Sequence, residues 1–128
     1  MTLAYVDSSC LAAVVLGEPG SRELLVRLSR YGQLFSSNLL EAEVRAVMAR
    51  EKIAGNSGVL LSWITWVYPT RRLSQEFRRV GEVATLRGAD LWHVACALFL
   101  RQKVQELAFI TLDGAQAEAA RELGFPGI

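Results

Sequence analysis

Short apolar runs alternate with longer segments whose apolar residues recur at helical spacing. Strands are predicted over 3–6, 33–36, 66–68 and 107–110, and the tail 125–128 can add a short edge strand. Helices are predicted over 8–16, 21–32, from 37 or 38 to about 52, over 59–65 and 74–83, from about 89 onward, and over 114–123. Strands that alternate with helices form βαβ units, so the pattern predicts an α/β fold with a parallel central sheet of four to five strands.

The acidic residues add candidate chemistry to this pattern. The chain contains only three aspartates, Asp7, Asp90 and Asp113, and each follows an apolar run or stands at a helix start. The carboxyl ends of parallel strands lie along one edge of a sheet, where ligands bind, so these side chains are expected to converge in space. Oxygen ligands gathered at one point suit a hard divalent cation such as Mg²⁺ or Mn²⁺.

A fourth carboxylate is expected from the third helix, where Glu41 and Glu43 compete. The apolar stripe of that helix is formed by Leu40, Val44, Val47 and Met48. Glu43 lies beside the stripe, whereas Glu41 lies about 200° away from Glu43 around the helix axis. Glu41 also precedes Arg45 by four residues, which favours a surface ion pair. Glu43 is therefore the candidate that points inward.

Simpler interpretations remain open for the same residues. Aspartate is a preferred helix N-cap, and Asp113 with Gln116 fits a capping box, so the three aspartates can be explained by capping alone. His93 follows Asp90 by three residues and can be a packed core histidine. An arginine cluster can form a solvated face or bind a phosphate backbone; it consists of Arg71, Arg72, Arg78 and Arg79.

Composition limits the class of protein. The chain has 128 residues, a net charge of +1, and 52% hydrophobic residues, which together predict one globular domain over 1–128. Cys10 and Cys96 both fall in apolar helical runs and are expected to be buried free thiols in a reducing compartment. The apolar runs are too short to span a bilayer, so no membrane contact and a cytoplasmic location are expected.

With these positions set out, the chain resembles the PIN-domain family, and specifically the VapC ribonuclease toxins of toxin–antitoxin operons. The segments Tyr5-Val6-Asp7-Ser8-Ser9 and Thr111-Leu112-Asp113 are similar to the first-strand motif and the T-x-D motif of that family. The segment 36–45 is similar to its strand-to-helix segment, with the acid at Glu43, and 89–95 is similar to its D-a-x-H-x-A helix start.

The resemblance implies a three-layer α/β/α domain that is a metal-dependent endoribonuclease. Asp7, Glu43, Asp90 and Asp113 would surround Mg²⁺ or Mn²⁺, and Ser9 and Thr111 would hold the carboxylates in place. RNA would be the substrate, a cognate antitoxin the partner, and a homodimer the assembly. Two alternatives remain: a PIN nuclease of RNA maturation or decay, and a non-catalytic receiver-like phosphoacceptor domain, which needs a lysine at a strand end.

Overall fold

The chain folds into alternating strands and helices. The computed structural model describes residues 2–55 and 58–126. The strands are β1 (Leu3–Val6), β2 (Gln33–Ser37), β3 (Ile64–Val67) and β4 (Leu107–Ile110). The helices are α1 (Ser8–Val15), α2 (Ser21–Ser29), α3 (Leu39–Arg50), α4 (Gly58–Leu61), α5 (Ser74–Gly81), α6 (Gly88–Arg101) and α7 (Gly114–Glu122).

The four strands form one parallel sheet in the order β3-β2-β1-β4. Leu3 pairs with Gln33 on one side and with Leu107 on the other, so β1 has a neighbour on both edges. Since all strands run the same way, Asp7, Asn38 and Thr111 follow their strands at one edge of the sheet, as the alternating pattern predicts.

Helices cover both faces of the sheet, which confirms the predicted α/β class. Alternate residues of β1 point to opposite sides: Ala4 and Val6 contact a core shared with α1, α2 and α3, whereas Tyr5 contacts a core shared with α5, α6 and α7. The stretch Val94–Leu100 of α6 is buried, because this helix lies between the sheet and α5. Parallel sheets need such cover on both faces.

The region between α3 and α5 differs from the predicted boundaries. The fourth helix was expected to reach residue 65, yet α4 ends at Leu61 and β3 begins at Ile64. Ile64 pairs with Leu34 of β2 and is buried, so strand pairing determines the conformation of an apolar stretch that is equally compatible with a helix.

The remaining predictions concern the tail, the thiols and membrane insertion. Pro126 accepts a hydrogen bond from the backbone of Phe109 (3.1 Å), but 125–126 is not a strand, and 127–128 lies outside the described residues. Both cysteines are free and buried, and burial raises the pKa of each thiol to about 12. Within 2–55 and 58–126, none of the helices combines the length and hydrophobicity that crossing a bilayer requires.

Candidate active site

Asp7 is the buried centre of the acidic edge. It follows β1 directly, and only 1% of its surface is exposed. Its Oδ1 accepts a hydrogen bond from Ser9 Oγ (2.6 Å), and its Oδ2 accepts one from Thr111 Oγ1 (2.7 Å). Burial raises the pKa of Asp7, and these hydrogen bonds offset the rise only in part. The two hydroxyl groups therefore hold the carboxylate of Asp7 in place, although burial disfavours its charged form.

Gln116 connects three of the four acids. Its backbone N–H donates to Asp113 Oδ1 (2.9 Å) at the start of α7. Its side-chain Nε2 donates to Asp7 Oδ2 and to Asp90 Oδ1, both at 2.9 Å. The side chain is 2% exposed, and its Oε1 has no hydrogen-bond partner among the described residues. Residues from β1, α6 and α7 thus meet at one amide group.

Asp90 lies in the first turn of α6 and faces the other acids. Its pKa is raised first by burial and then by the negative charges of Asp113 and Glu43. His93 and Arg87 lower the pKa of the same carboxyl group. Mutual repulsion of this kind arises when carboxylates converge without a cation between them.

Glu43 joins the site through a buried hydrogen-bonded chain. Its Oε1 is 2.7 Å from His93 Nε2, and His93 Nδ1 is 2.8 Å from the hydroxyl of Tyr5. The Ser37 backbone N–H donates to this hydroxyl (3.3 Å), and burial raises the pKa of Tyr5, so the tyrosine stays protonated beside His93. His93 thus connects Glu43 and Tyr5 through its two ring nitrogens.

Glu41 behaves as the helical spacing predicts. It pairs with Arg45 at 2.8 Å on the outer side of α3, while Glu43 of the same helix points toward α6. The two glutamates therefore lie on different faces of α3. Glu41 is in a surface ion pair, and Glu43 lies beside the acidic edge.

Helix capping explains only one of the three aspartates. Asp113 is the N-cap of α7, and its side chain accepts from Gln116 N. Asp7 is the N-cap of α1 but makes no side-chain capping hydrogen bond. Asp90 lies inside α6, whose N-cap is Arg87. In the predicted capping box, the Gln116 side chain does not return to its own helix end but reaches the other two acids.

The arginine cluster lies at the opposite end of α6. Arg71 makes a two-pronged ion pair with the buried Glu76 (2.8 and 3.0 Å) and lies 5.3 Å from the ring centre of Phe99. Arg71, Arg72 and Arg78 line a cleft of about 550 Å³ together with Gln102. Burial lowers the pKa of Arg101, and the positive charge of Arg79 lowers it further. From Asp90 to Gln102 is twelve residues of helix, or roughly 18 Å.

The donor set fits a hard cation in its chemistry. Asp7, Asp90, Asp113 and Glu43 offer carboxylate oxygens, the ligands that Mg²⁺ and Mn²⁺ prefer. Across the described residues, no three His, Cys, Asp or Glu side chains stand close enough together to hold a metal ion as they are placed. The amide nitrogen of Gln116 lies between two of the acids, so a cation would require a small rearrangement there.

Gln116 and the His93 chain are the parts of this site that the sequence does not predict. The spacing of Asp113 and Gln116 indicates a capping box but gives no sign that the side chain reaches an aspartate 109 residues away. His93 lies on the same helical face as Asp90, which indicates proximity to the site without naming Glu43 as its partner.

A comparison with protein-family models gives one match. The model described as PIN domain matches residues 4–122, which include all four acids and their hydrogen-bonding neighbours. No curated protein matches the chain in sequence.

Proposed function

The chain belongs to the PIN-domain family, and from this premise we propose that it is a Mg²⁺- or Mn²⁺-dependent endoribonuclease, specifically the VapC-type toxin of a toxin–antitoxin pair. Proteins of this family are generally nucleases, and such nucleases generally use divalent metals. The observation that carries the proposal is the meeting of Asp7, Asp90 and Asp113 at Gln116, with Glu43 beside them.

The acids have separate roles in the proposed hydrolysis of RNA. Asp7, Asp90 and Glu43 would be the metal ligands, with Ser9 and Thr111 fixing Asp7. Asp113 uses Oδ1 to cap α7, so its other oxygen would bind a metal-held water or orient the nucleophile. A bound cation would lower the pKa of a water and neutralise charge on the scissile phosphate.

His93 would hold the carboxylate of Glu43 in the orientation that metal binding needs. One ring nitrogen of the imidazole contacts the glutamate, and the other is held by Tyr5. Such a partner restricts the rotation of a carboxylate ligand, as the supporting groups of metal sites generally do.

The arginines would bind the RNA backbone away from the cut. Arg72, Arg78 and Arg79 are exposed, whereas Arg71 is held by Glu76. Replacing Arg72 and Arg78 together with alanine is expected to weaken RNA binding and to reduce the salt slope by roughly 0.7 for each phosphate of a single strand that is no longer neutralised. An unchanged slope would assign both side chains to a solvated face.

An apolar groove supports a protein partner such as an antitoxin or a second copy of the chain. A cavity of about 360 Å³ is lined by apolar residues of α1, α2, α3 and α4, by the segment 53–55 and by Trp63. Val59 and Trp63 on its border are 67% and 42% exposed. Exposed apolar surface of this kind is typical of interaction sites.

The alternatives can be separated by observation. A PIN nuclease of RNA maturation or decay has the same site, and a small antitoxin reading frame beside the gene would favour the toxin. The receiver-like alternative needs a lysine at a strand end, but Lys52 and Lys103 lie in turns after α3 and α6.

Cleavage of total cellular RNA with mapped ends tests the proposal. Wild-type protein is expected to cut RNA in Mg²⁺ or Mn²⁺, and Asp90→Asn is expected to be inactive. Glu118→Gln, which changes an exposed carboxylate of α7, is the matched control that keeps activity. Cleavage that persists undiminished in excess EDTA would refute the mechanism.

A further inference from the structure

We propose that the Gln116 side chain is a positioning residue that takes the place of a cation between Asp7 and Asp90 in the metal-free protein, and that it therefore competes with the divalent metal. This inference rests on the proposed metal-dependent function and adds to it a residue that controls metal affinity.

The first support is the use of both amide protons. A side-chain amide carries two N–H donors on one nitrogen, directed about 120° apart. In Gln116 that nitrogen lies 2.9 Å from Asp7 Oδ2 and 2.9 Å from Asp90 Oδ1. One electropositive group thus bridges two carboxylates, which is the task a bound cation performs.

The second support is the number of hydrogen bonds that Asp7 already accepts. An ionised carboxylate offers about four lone-pair directions. Ser9, Thr111 and Gln116 fill three of those of Asp7, and Oδ2 accepts two of these hydrogen bonds. A cation that bridges Asp7 and Asp90 on the same side must displace the Gln116 amide.

The third support is the unpaired oxygen of the same side chain. Gln116 is 2% exposed, and its Oε1 has no partner within the described part of the chain, which is an unfavourable state for a buried carbonyl group. The opposite orientation of the amide would aim this oxygen at two carboxylates. The charge-assisted hydrogen bonds of Nε2 to Asp7 and Asp90 therefore determine the orientation of the amide.

The cap of α7 does not depend on this side chain. Asp113 accepts from the backbone N–H of Gln116, a group that every residue except proline provides. A substitution at 116 thus removes the bridge between Asp7 and Asp90 and leaves the cap in place. The contribution of the side chain can be measured separately for this reason.

The test uses Gln116→Leu and Gln116→Met, which keep much of the side-chain volume and remove both donors. Glu118→Gln on the same helix is the control. Melting temperature is measured in EDTA and across a Mn²⁺ titration, and the Mn²⁺ dissociation constant is measured by calorimetry without RNA. The variants are expected to melt below wild type in EDTA and to bind Mn²⁺ about tenfold more tightly or better, so that their melting temperatures rise more on adding metal.

Each outcome decides a different point. If wild type binds Mn²⁺ and the variants bind it equally or more weakly, the competition is refuted while the proposed function stands. A lower melting temperature in EDTA with an unchanged dissociation constant would mean a purely structural side chain and would also refute it. If wild type binds neither Mn²⁺ nor Mg²⁺, the proposed metal dependence fails and this inference fails with it. Should Gln116→Leu not fold, Gln116→Met decides.

Discussion

Replacing Asp7 with asparagine is expected to stabilise the metal-free protein, although Asp7 is buried and well hydrogen-bonded. Burial raises the pKa of Asp7, so its charged form is disfavoured in the fold. Asp7 and Asp90 share the Gln116 amide nitrogen at 2.9 Å each, and its bond angle puts their oxygens roughly 5 Å apart. Two charges at that distance repel by about 3 kcal/mol at an effective dielectric constant of about 20.

Asparagine preserves most of the hydrogen bonds. Its oxygen can accept from Thr111 and Gln116, and its amide can donate to Ser9 Oγ, whose hydroxyl then turns toward Thr111 (3.3 Å). Neutral hydrogen bonds are weaker than charge-assisted ones, by about 1 kcal/mol in total here. The net gain is therefore about 1–2 kcal/mol, or roughly 4–8 °C in melting temperature for a chain of this size.

Thermal and urea unfolding in EDTA near neutral pH measure this difference. Asp7→Ala is expected to melt below wild type, because it removes the acceptor for three donors, and Glu118→Gln is expected to match wild type. If Asp7→Asn is destabilised as much as Asp7→Ala, repulsion between carboxylates does not limit the stability of the apo protein. In Mg²⁺ both Asp7 variants should lose RNA cleavage, and an active Asp7→Asn would disprove the role of Asp7 as a ligand.

Tyr5→Phe removes a buried hydroxyl that bonds an imidazole and a backbone amide, so its free energy of unfolding in urea should fall by about 1–3 kcal/mol, and no change would show that the bond is dispensable. Arg71→Ala leaves the buried carboxylate of Glu76 without its arginine partner and should lower the urea midpoint. Arg72→Ala removes an exposed side chain and should leave the midpoint unchanged, so equal effects of the two substitutions would contradict this reasoning. In EDTA, the contribution of Asp7 and Asp90 to stability should rise as pH falls through their raised folded pKa values, because both carboxyl groups bind protons more tightly in the folded than in the unfolded state. That contribution is complete below the ordinary aspartate pKa of 3.8 and is lost as pH rises through the raised folded pKa. The stability of Asp7→Asn should therefore depend less on pH than that of wild type. The same pH dependence in both proteins would contradict the raised pKa of Asp7.

The fold could be predicted because its signal is local. Each strand is a short apolar run followed by a helical pattern, and this alternation determines parallel pairing and the edge where Asp7 and Asp113 lie. The boundary near Ile64 could not be predicted, because an apolar stretch fits a helix and a strand equally well until a partner strand is present.

The site could be predicted only as far as helical spacing determines direction. Spacing separates Glu43 from Glu41, since the two face opposite sides of α3. It cannot show which group each side chain meets across the fold, because those partners come from distant segments. The hydrogen bonds of Gln116 and the Glu43–His93 contact join such distant segments, and neither is evident until the helices are packed on the sheet.

The position of β1 between β2 and β4 also has a consequence for the chain during synthesis. Asp7 is made before its partners Thr111 and Gln116, which come 104 and 109 residues later. Until β4 is made, β1 has a neighbour on one side only, and the acidic edge lacks Asp113 entirely. A nascent chain therefore cannot assemble the acidic edge before β4 and α7 have been made, although Asp7 and its strand are made long before them.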